Sequence, residues 1–297
     1  MEIRVIQYFL TVAREGSFSK AAQILHVTQP ALSKSIRDLE EQYQVTLFNR
    51  TTRSLELTKE GILFKEQAQE ILNLVEKAEK SLLHNKDNVT GSIYIGCSES
   101  ECNRIVMRAI AKTQQHYPHI KFHISSGNAQ YVTEKLEQGL FDFGIVIDPV
   151  DLSNYDYLKL PNYDTWGVLM KKNSLLAKRD VIKPKDLLNL PMIISNQDMI
   201  KNEIAGWLGG NQRALNVVAT YNLFYNAKLM VEEDVGYVLT LDYLYNESDD
   251  SSICFKPLSP HLKVKSNVIW KKYKVFPKTM EIFLDILNEE IRQIKKD

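Results

Sequence analysis

The chain has 297 residues, and its 37 Lys and Arg balance 37 Asp and Glu, so the formal net charge is zero with His neutral. That length suits two or three domains rather than one, and 44% hydrophobic with 25% charged residues is a globular composition. No apolar run approaches the ~20 residues that cross a bilayer, and the opening MEIRVIQYFLTVAREGSF carries acids and no small-residue cleavage site. The expectation is a cytoplasmic protein with no membrane partner.

Residues 3–14 place Ile3, Ile6, Phe9, Leu10 and Ala13 on one helical face. A second short helix over 18–25 groups Phe18, Ala21, Ala22 and Leu25, and its two alanines allow close helix approach. A third opens at Thr28, a good N-cap residue, with Pro30 in the first turn, where its missing N–H costs nothing. Leu32, Ile36 and Leu39 form its buried stripe, while Gln29, Ser33, Lys34 and Arg37 lie on other faces. The tight turn between these helices is His26-Val27-Thr28. Two helices joined by so short a turn make a helix-turn-helix, whose second helix enters a DNA major groove. Leu47-Phe48 and Leu55–Leu57 then read as two short strands around the polar, basic run 49–54, a β-wing whose arginines meet phosphate or a minor groove. Residues 1–60 nevertheless hold eight Lys/Arg against seven Asp/Glu, so the basic groups must be spatially sorted, and a modest phosphate contribution per protomer favours binding as an oligomer.

This block resembles the winged helix-turn-helix of the LysR-type transcriptional regulators. The matching residues are Phe9, Val12-Ala13, Gly16-Ser17-Phe18, Ala21-Ala22, Leu25, Thr28-Gln29-Pro30-Ala31-Leu32-Ser33, Ile36, Leu39-Glu40, Leu47-Phe48-Asn49-Arg50 and Leu57-Thr58 with Gly61. The resemblance implies residues 1–58 as a DNA-binding domain, 59–90 as a linker and dimerisation helix with its hinge, and 91–297 as an effector-binding domain. On this reading Gln29, Pro30, Ser33 and Lys34 approach base edges of double-stranded DNA, and Arg37, Arg50, Thr51 and Arg53 meet phosphate or the minor groove. Arg50 has an alternative role, an ion pair with Glu40 or Glu41.

From 58 to about 85 the sequence reads as one long helix. Phe64, Ala68, Ile71, Val75, Ala78 and Leu82 are spaced as a heptad seam, which predicts a coiled-coil-like dimer contact. Packing on its own domain is the competing role. The polar run 86–91 is the expected hinge. Beyond it strands and helices alternate: strands over 92–97, 120–125 and 141–147, with helices over 103–116 and 131–137, predict a parallel sheet. A second such unit follows, with strands near 166–170, 192–195, 217–221, 236–240 and 253–255 and helices near 185–188, 200–207 and 223–232. A late strand at 267–270 and a helix over 277–294 return the chain to the first lobe, with crossings near 160–162 and 265–268. The fold expected is an N-terminal, otherwise all-α winged helix-turn-helix with a long linker helix. An α/β two-lobed effector domain, periplasmic-binding-protein-like by the resemblance, follows it. Lobe I is 91–161 with 267–297, and lobe II is 162–266.

Ligands of such sheets bind beyond the carboxyl ends of strands. The loops there, and the resemblance, nominate Ser98, Ser100, Ser126, Asn128, Ile147, Ser195, Asn196 and Tyr221 as effector contacts. Hydroxyls at helix N-termini suit a small carboxylate. Glu99 and Glu101 fit that poorly; they either favour a ligand with an amino group or cap the helix at Asn103. No nucleophile elbow, phosphate loop or His-Glu-x-x-His occurs. His116, His119 and His123 lack neighbouring cysteine or carboxylate ligands, so no metal and no cofactor are expected. Cys97, Cys102 and Cys254 are an odd set, which argues against a disulfide framework. The function expected is a sequence-specific transcriptional regulator modulated by a small-molecule effector, not an enzyme. By the resemblance it acts as a homodimer or homotetramer with RNA polymerase as a partner. The alternatives are a DNA-tethered enzyme and a redox sensor using Cys97 and Cys102. The family's peroxide sensors carry their cysteine pair in the other half of the effector domain.

Overall fold

The structure is a computed structural model. It describes residues 1–50, 55–82, 89–210, 215–245 and 252–294. The chain divides into two compact units, Met1–Leu83 and His84–Asp297. The expected hinge at 86–91 lies partly outside the described residues.

In the first unit α1 (Ile3–Glu15), α2 (Phe18–Ile24) and α3 (Gln29–Tyr43) pack their apolar stripes together. A two-stranded wing follows, β1 (Phe48–Arg50) antiparallel to β2 (Leu55–Leu57). The Thr28 hydroxyl accepts the Ala31 N–H at 3.4 Å and caps α3, with Pro30 in the first turn. His26 takes a left-handed backbone, φ 54°, which reverses the chain between α2 and α3 within the short turn. Phe9, fully buried, lies 5.3 Å from the Phe48 ring and 4.7 Å from Phe64, so one side chain ties α1 to the wing and to α4 (Lys59–Leu82). A Cβ on Gly61 would lie 2.2 Å from the Leu47 carbonyl oxygen, so only glycine lets α4 start this close to the wing.

The seam on α4 packs in part on its own unit. Ala68 is fully buried, and Phe64 and Ile71 pack on the same core of their own unit. Val75 is half-buried and Ala78 exposed, while the side chain of Leu82 lies outside the described residues. Val75 and Ala78, farther along the seam, are not part of that core.

In the second unit β3 (Gly91–Cys97) is flanked by β4 (Ile120–Ser126) and β5 (Phe143–Ile147), both parallel to it. The crossovers are α5 (Arg104–His116) and α6 (Ala129–Glu137). The 17-residue β6 (Tyr155–Lys171) then pairs antiparallel with β11 (Lys263–Lys271) as far as Thr165. From Trp166 it pairs instead with β9 (Tyr237–Leu241) and β10 (Ile253–Pro257). β11 also pairs with β5, so these two long strands carry one nine-stranded sheet, among the described residues, across both lobes. β7 (Pro191–Ser195) and β8 (Asn216–Tyr221) extend it in parallel beyond β9, with crossovers α7 (Asp198–Trp207) and α8 (Phe224–Glu232). α9 (Lys278–Ile294) returns to the first lobe, where Phe283 and Leu287 are fully buried against Phe143 and α5.

Two expectations differ here. The strand expected over 166–170 begins at Tyr155; its first part was hidden in the sequence because residues 155–165 are largely polar and interrupted by Pro161. Opposite Leu160-Pro161-Asn162 the register of β11 shifts between Lys265 and Asn267, so Pro161 sits at a bulge, where its missing N–H breaks no ladder bond. The helix expected near 185–188 is a short 3-10 turn, Pro184–Leu187.

Candidate functional site

The first candidate site is the outer face of α3. Leu32 and Ile36 are fully buried and Leu39 nearly so, and these three fix the helix on its unit. That leaves Gln29, Pro30, Lys34 and Arg37 exposed and Ser33 half-buried, starting from the capped end of the helix. At the other end of the helix, Glu40 accepts the N–H groups of Leu47 at 2.7 Å and Phe48 at 3.2 Å, which holds the wing's first strand against α3. Arg50 ends β1; its side chain, with Thr51 and Arg53, lies outside the described residues. A polar helix start backed by an apolar stripe, beside a β-hairpin, has the shape that lays a helix in a major groove.

The second is a cleft between the lobes of the second unit. Of the eight nominated residues it brings together Ser98, Asn128, Ile147, Ser195 and Tyr221. Asn128 also N-caps α6, its side-chain oxygen accepting the Tyr131 N–H at 2.9 Å. Tyr221 is committed through its hydroxyl, which donates to the Leu239 carbonyl at 2.8 Å.

The other three stand outside the lining. Ser100 donates its hydroxyl to the buried Asp164 at 2.5 Å, lies 3.2 Å from the Ser266 hydroxyl, and accepts the Cys102 N–H. It is a structural polar group inside the sheet end. Ser126 and Asn196 are exposed, and Asn196 gives its N–H to the Tyr221 carbonyl at 2.9 Å. Glu99 and Glu101 separate as well. Glu101 pairs with Arg104. Glu99 does not cap the helix at Asn103; it reaches the other lobe and accepts the Phe224 N–H at the start of α8, 2.5 Å away. Gln197, from the second lobe, accepts the Ala129 N–H at the start of α6, 3.0 Å away.

These two bonds span the cleft in opposite directions and hold it closed around about 40 Å³. Small-molecule sites hold about 300–1,000 Å³, so a ligand must part the lobes to enter. Gln197, Trp166 and Phe224 line the cleft and were missed from sequence. Gln197 was the most accessible of them, since it stands two residues past a nominated strand end. Buried polar atoms point the same way: the Ser98 hydroxyl and the Trp166 indole N–H have no partner among the described residues.

The cysteines lie apart from this chemistry. Cys97, Cys102 and Cys254 are buried and in no disulfide. Burial pushes the Cys97 thiol up to about 12, and burial with the neighbouring Asp164 charge does the same to Cys102. Protonated thiols are poor nucleophiles, which counts against the redox alternative. His116 lies 2.8 Å from the Lys112 carbonyl through Nδ1, and His123 stacks on Tyr94 at 4.5 Å, so the histidine run is dispersed. No helix among the described residues is long and apolar enough to cross a membrane.

A winged helix-turn-helix unit and a two-lobed α/β unit closed over a cleft, on one chain, define a class of regulator architecture. Residues 3–62 match the family model for bacterial regulatory helix-turn-helix proteins of the lysR family, and residues 86–292 match the LysR substrate binding domain. The chain belongs to the LysR family. It is 35% identical over 188 residues to the HTH-type transcriptional regulator YtlI of Bacillus subtilis, covering 63% of this chain and 60% of that protein. It is 24% identical over 291 residues to YfeR of Shigella flexneri, an uncharacterized HTH-type transcriptional regulator, covering 97% and 94%. The fold matches full-length CbnR in complex with its target DNA with a TM-score of 0.73 at 18% identity, over 98% of this chain and all of that one.

Proposed function

We propose that the chain is a sequence-specific DNA-binding transcriptional regulator whose activity is set by a small molecule bound between the two lobes. The observation that carries it is α3, whose capped start exposes Gln29, Pro30, Lys34 and Arg37 above a fully buried Leu32 and Ile36. Gln29 reads a base edge, where a bidentate amide contact to adenine contributes about 1–3 kcal/mol of discrimination. Lys34 also approaches base edges, and Arg37, Arg50 and Arg53 meet phosphates. Residues 1–58 bind DNA, 59–90 link and dimerise through the seam beyond Ile71, and 91–297 bind the effector. Within the last, 91–161 with 267–297 and 162–266 are the lobes.

The chain acts as a homodimer or homotetramer in the cytoplasm, with RNA polymerase as the downstream partner, and it performs no catalysis itself. Coupling works by differential affinity. The effector binds one arrangement of the lobes better and so shifts the population of DNA-binding arrangements. The test is anisotropy titration of selected DNA at several salt concentrations. Gln29→Ala should relax preference at one base position and leave the salt slope unchanged. Arg37→Ala should weaken all sequences alike and reduce the slope by about one. Equal effects of both on specific and random DNA would overturn the assignment of α3.

A further inference from the structure

Three helices, α6, α7 and α8, start at the cleft, and helix starts attract anions. Gln197, the N-cap residue of α7, makes no side-chain cap bond, whereas the starts of α6 and α8 are already served by side chains. Ala129 and Tyr131 give their N–H groups to Gln197 and Asn128, and Leu223 and Phe224 give theirs to Asn222 and Glu99. Among the described residues no Lys, Arg or His lines the cleft, and Glu99 is the one acidic side chain there. A carboxylate bound at the start of α8 would have to displace Glu99 and then lie beside it, with no cation among the described lining residues to offset the two like charges.

A second pair of acids lies outside the lining. Burial first, and then the charge of Asp148 next to the lining residue Ile147, hold the Glu203 carboxyl on α7 above its ordinary value. One Glu203 oxygen is buried without a partner among the described residues. What the cleft offers beyond negative charge is specific. The Trp166 indole N–H needs an acceptor, and the Ser98 hydroxyl can give or take a hydrogen bond; both residues are more than nine-tenths buried.

Resting on the reading of this cleft as the effector site, we propose that its ligand carries an ammonium group paired with Glu99. On the same ligand an uncharged or zwitterionic acceptor oxygen takes the Trp166 N–H. Amino acids, their amides and amino alcohols form that chemical class; simple carboxylates do not. The ammonium sits on the Glu99 carboxylate and takes the place of the Phe224 N–H, which is released as the lobes part.

The experiment is calorimetry and thermal shift on the full chain with three matched panels: the L-amino acids, their amides, and their N-acetyl derivatives. One or more free amines should bind while the N-acetyl counterpart, which has lost the ammonium, does not. Glu99→Gln keeps an acceptor for Phe224 but removes the charge, and should weaken the bound amine about tenfold or more. Trp166→Phe should weaken it through the lost donor. Binding of N-acetyl carboxylates that Trp166→Phe weakens would overturn the ammonium assignment and leave the cleft standing. Amine binding indifferent to both variants would place the ligand elsewhere and overturn the cleft reading too. An absence of binding by any amine would overturn the proposal.

Discussion

Ser100 gives its hydroxyl to Asp164 at 2.5 Å, joining the loop after β3 to the strand that passes between the lobes. Asp164 is 1% exposed and its second oxygen has no partner among the described residues. Ser100 is therefore spent on holding a buried acid. Ser100→Ala should destabilise the second unit by about 1–3 kcal/mol, the cost of leaving a buried acceptor short of its donor. Urea unfolding measures this. A loss of ligand affinity with unchanged stability would return Ser100 to the cleft.

The same acid sets a pH dependence. Burial, and next after its hydrogen bonds the Asp242 charge, holds the Asp164 carboxyl above its ordinary value. A carboxyl raised in the folded state binds its proton more tightly there than in the unfolded chain. Its stabilising contribution is present below the unfolded value near ~3.9 and is lost as pH rises through the folded value. Asp164→Asn should remove that loss, so wild type should fall behind the variant as pH rises from mildly acid to neutral. Parallel stability curves for the two proteins would contradict it.

Gly61 limits the first unit. A Cβ there would meet backbone, the Leu47 carbonyl oxygen at 2.2 Å, which cannot rotate away. Gly61→Ala should cost about 1–3 kcal/mol through overpacking and should lower DNA affinity by shifting the wing. Thermal unfolding followed in residues 1–83 checks the first effect. A stability gain, as for an ordinary exposed helix glycine, would show that α4 can move away.

Cys97 and Cys102 should resist peroxide. Both thiols stay protonated near neutral pH because burial pushes them up to about 12. Intact-mass and peptide mapping after peroxide treatment of the folded chain should show neither a disulfide nor a sulfenic acid. Fast formation of a Cys97–Cys102 disulfide would revive the sensor alternative.

The winged unit was legible because its signals are local. Thr28 and Pro30 mark a helix start, Leu32, Ile36 and Leu39 mark its buried face, and each acts within one turn of its own helix. The first lobe followed from alternation of strand and helix. The linker seam was legible only in part, because heptad spacing states that a stripe is apolar and not what covers it, and Phe9 meets Phe64 from within the same unit. Strand β6 hid behind Pro161, whose bulge has meaning only against β11, a hundred residues later in sequence. The cleft was half legible. Strand ends pointed to Ser98 and Ser195, but the Glu99 bond to α8 joins residues 125 positions apart, and no periodicity carries that information.

The most direct measurement is selection of bound fragments from random duplex DNA by the purified chain at near-physiological salt, followed by footprinting of the winners. A dimeric reader using α3 predicts an inverted repeat with half-sites about one helical turn, or a multiple of it, apart, protected by wild type and relaxed at one position per half-site by Gln29→Ala. Weak binding that has no sequence preference and disappears with salt, in the presence as well as the absence of the amine ligands, would contradict it.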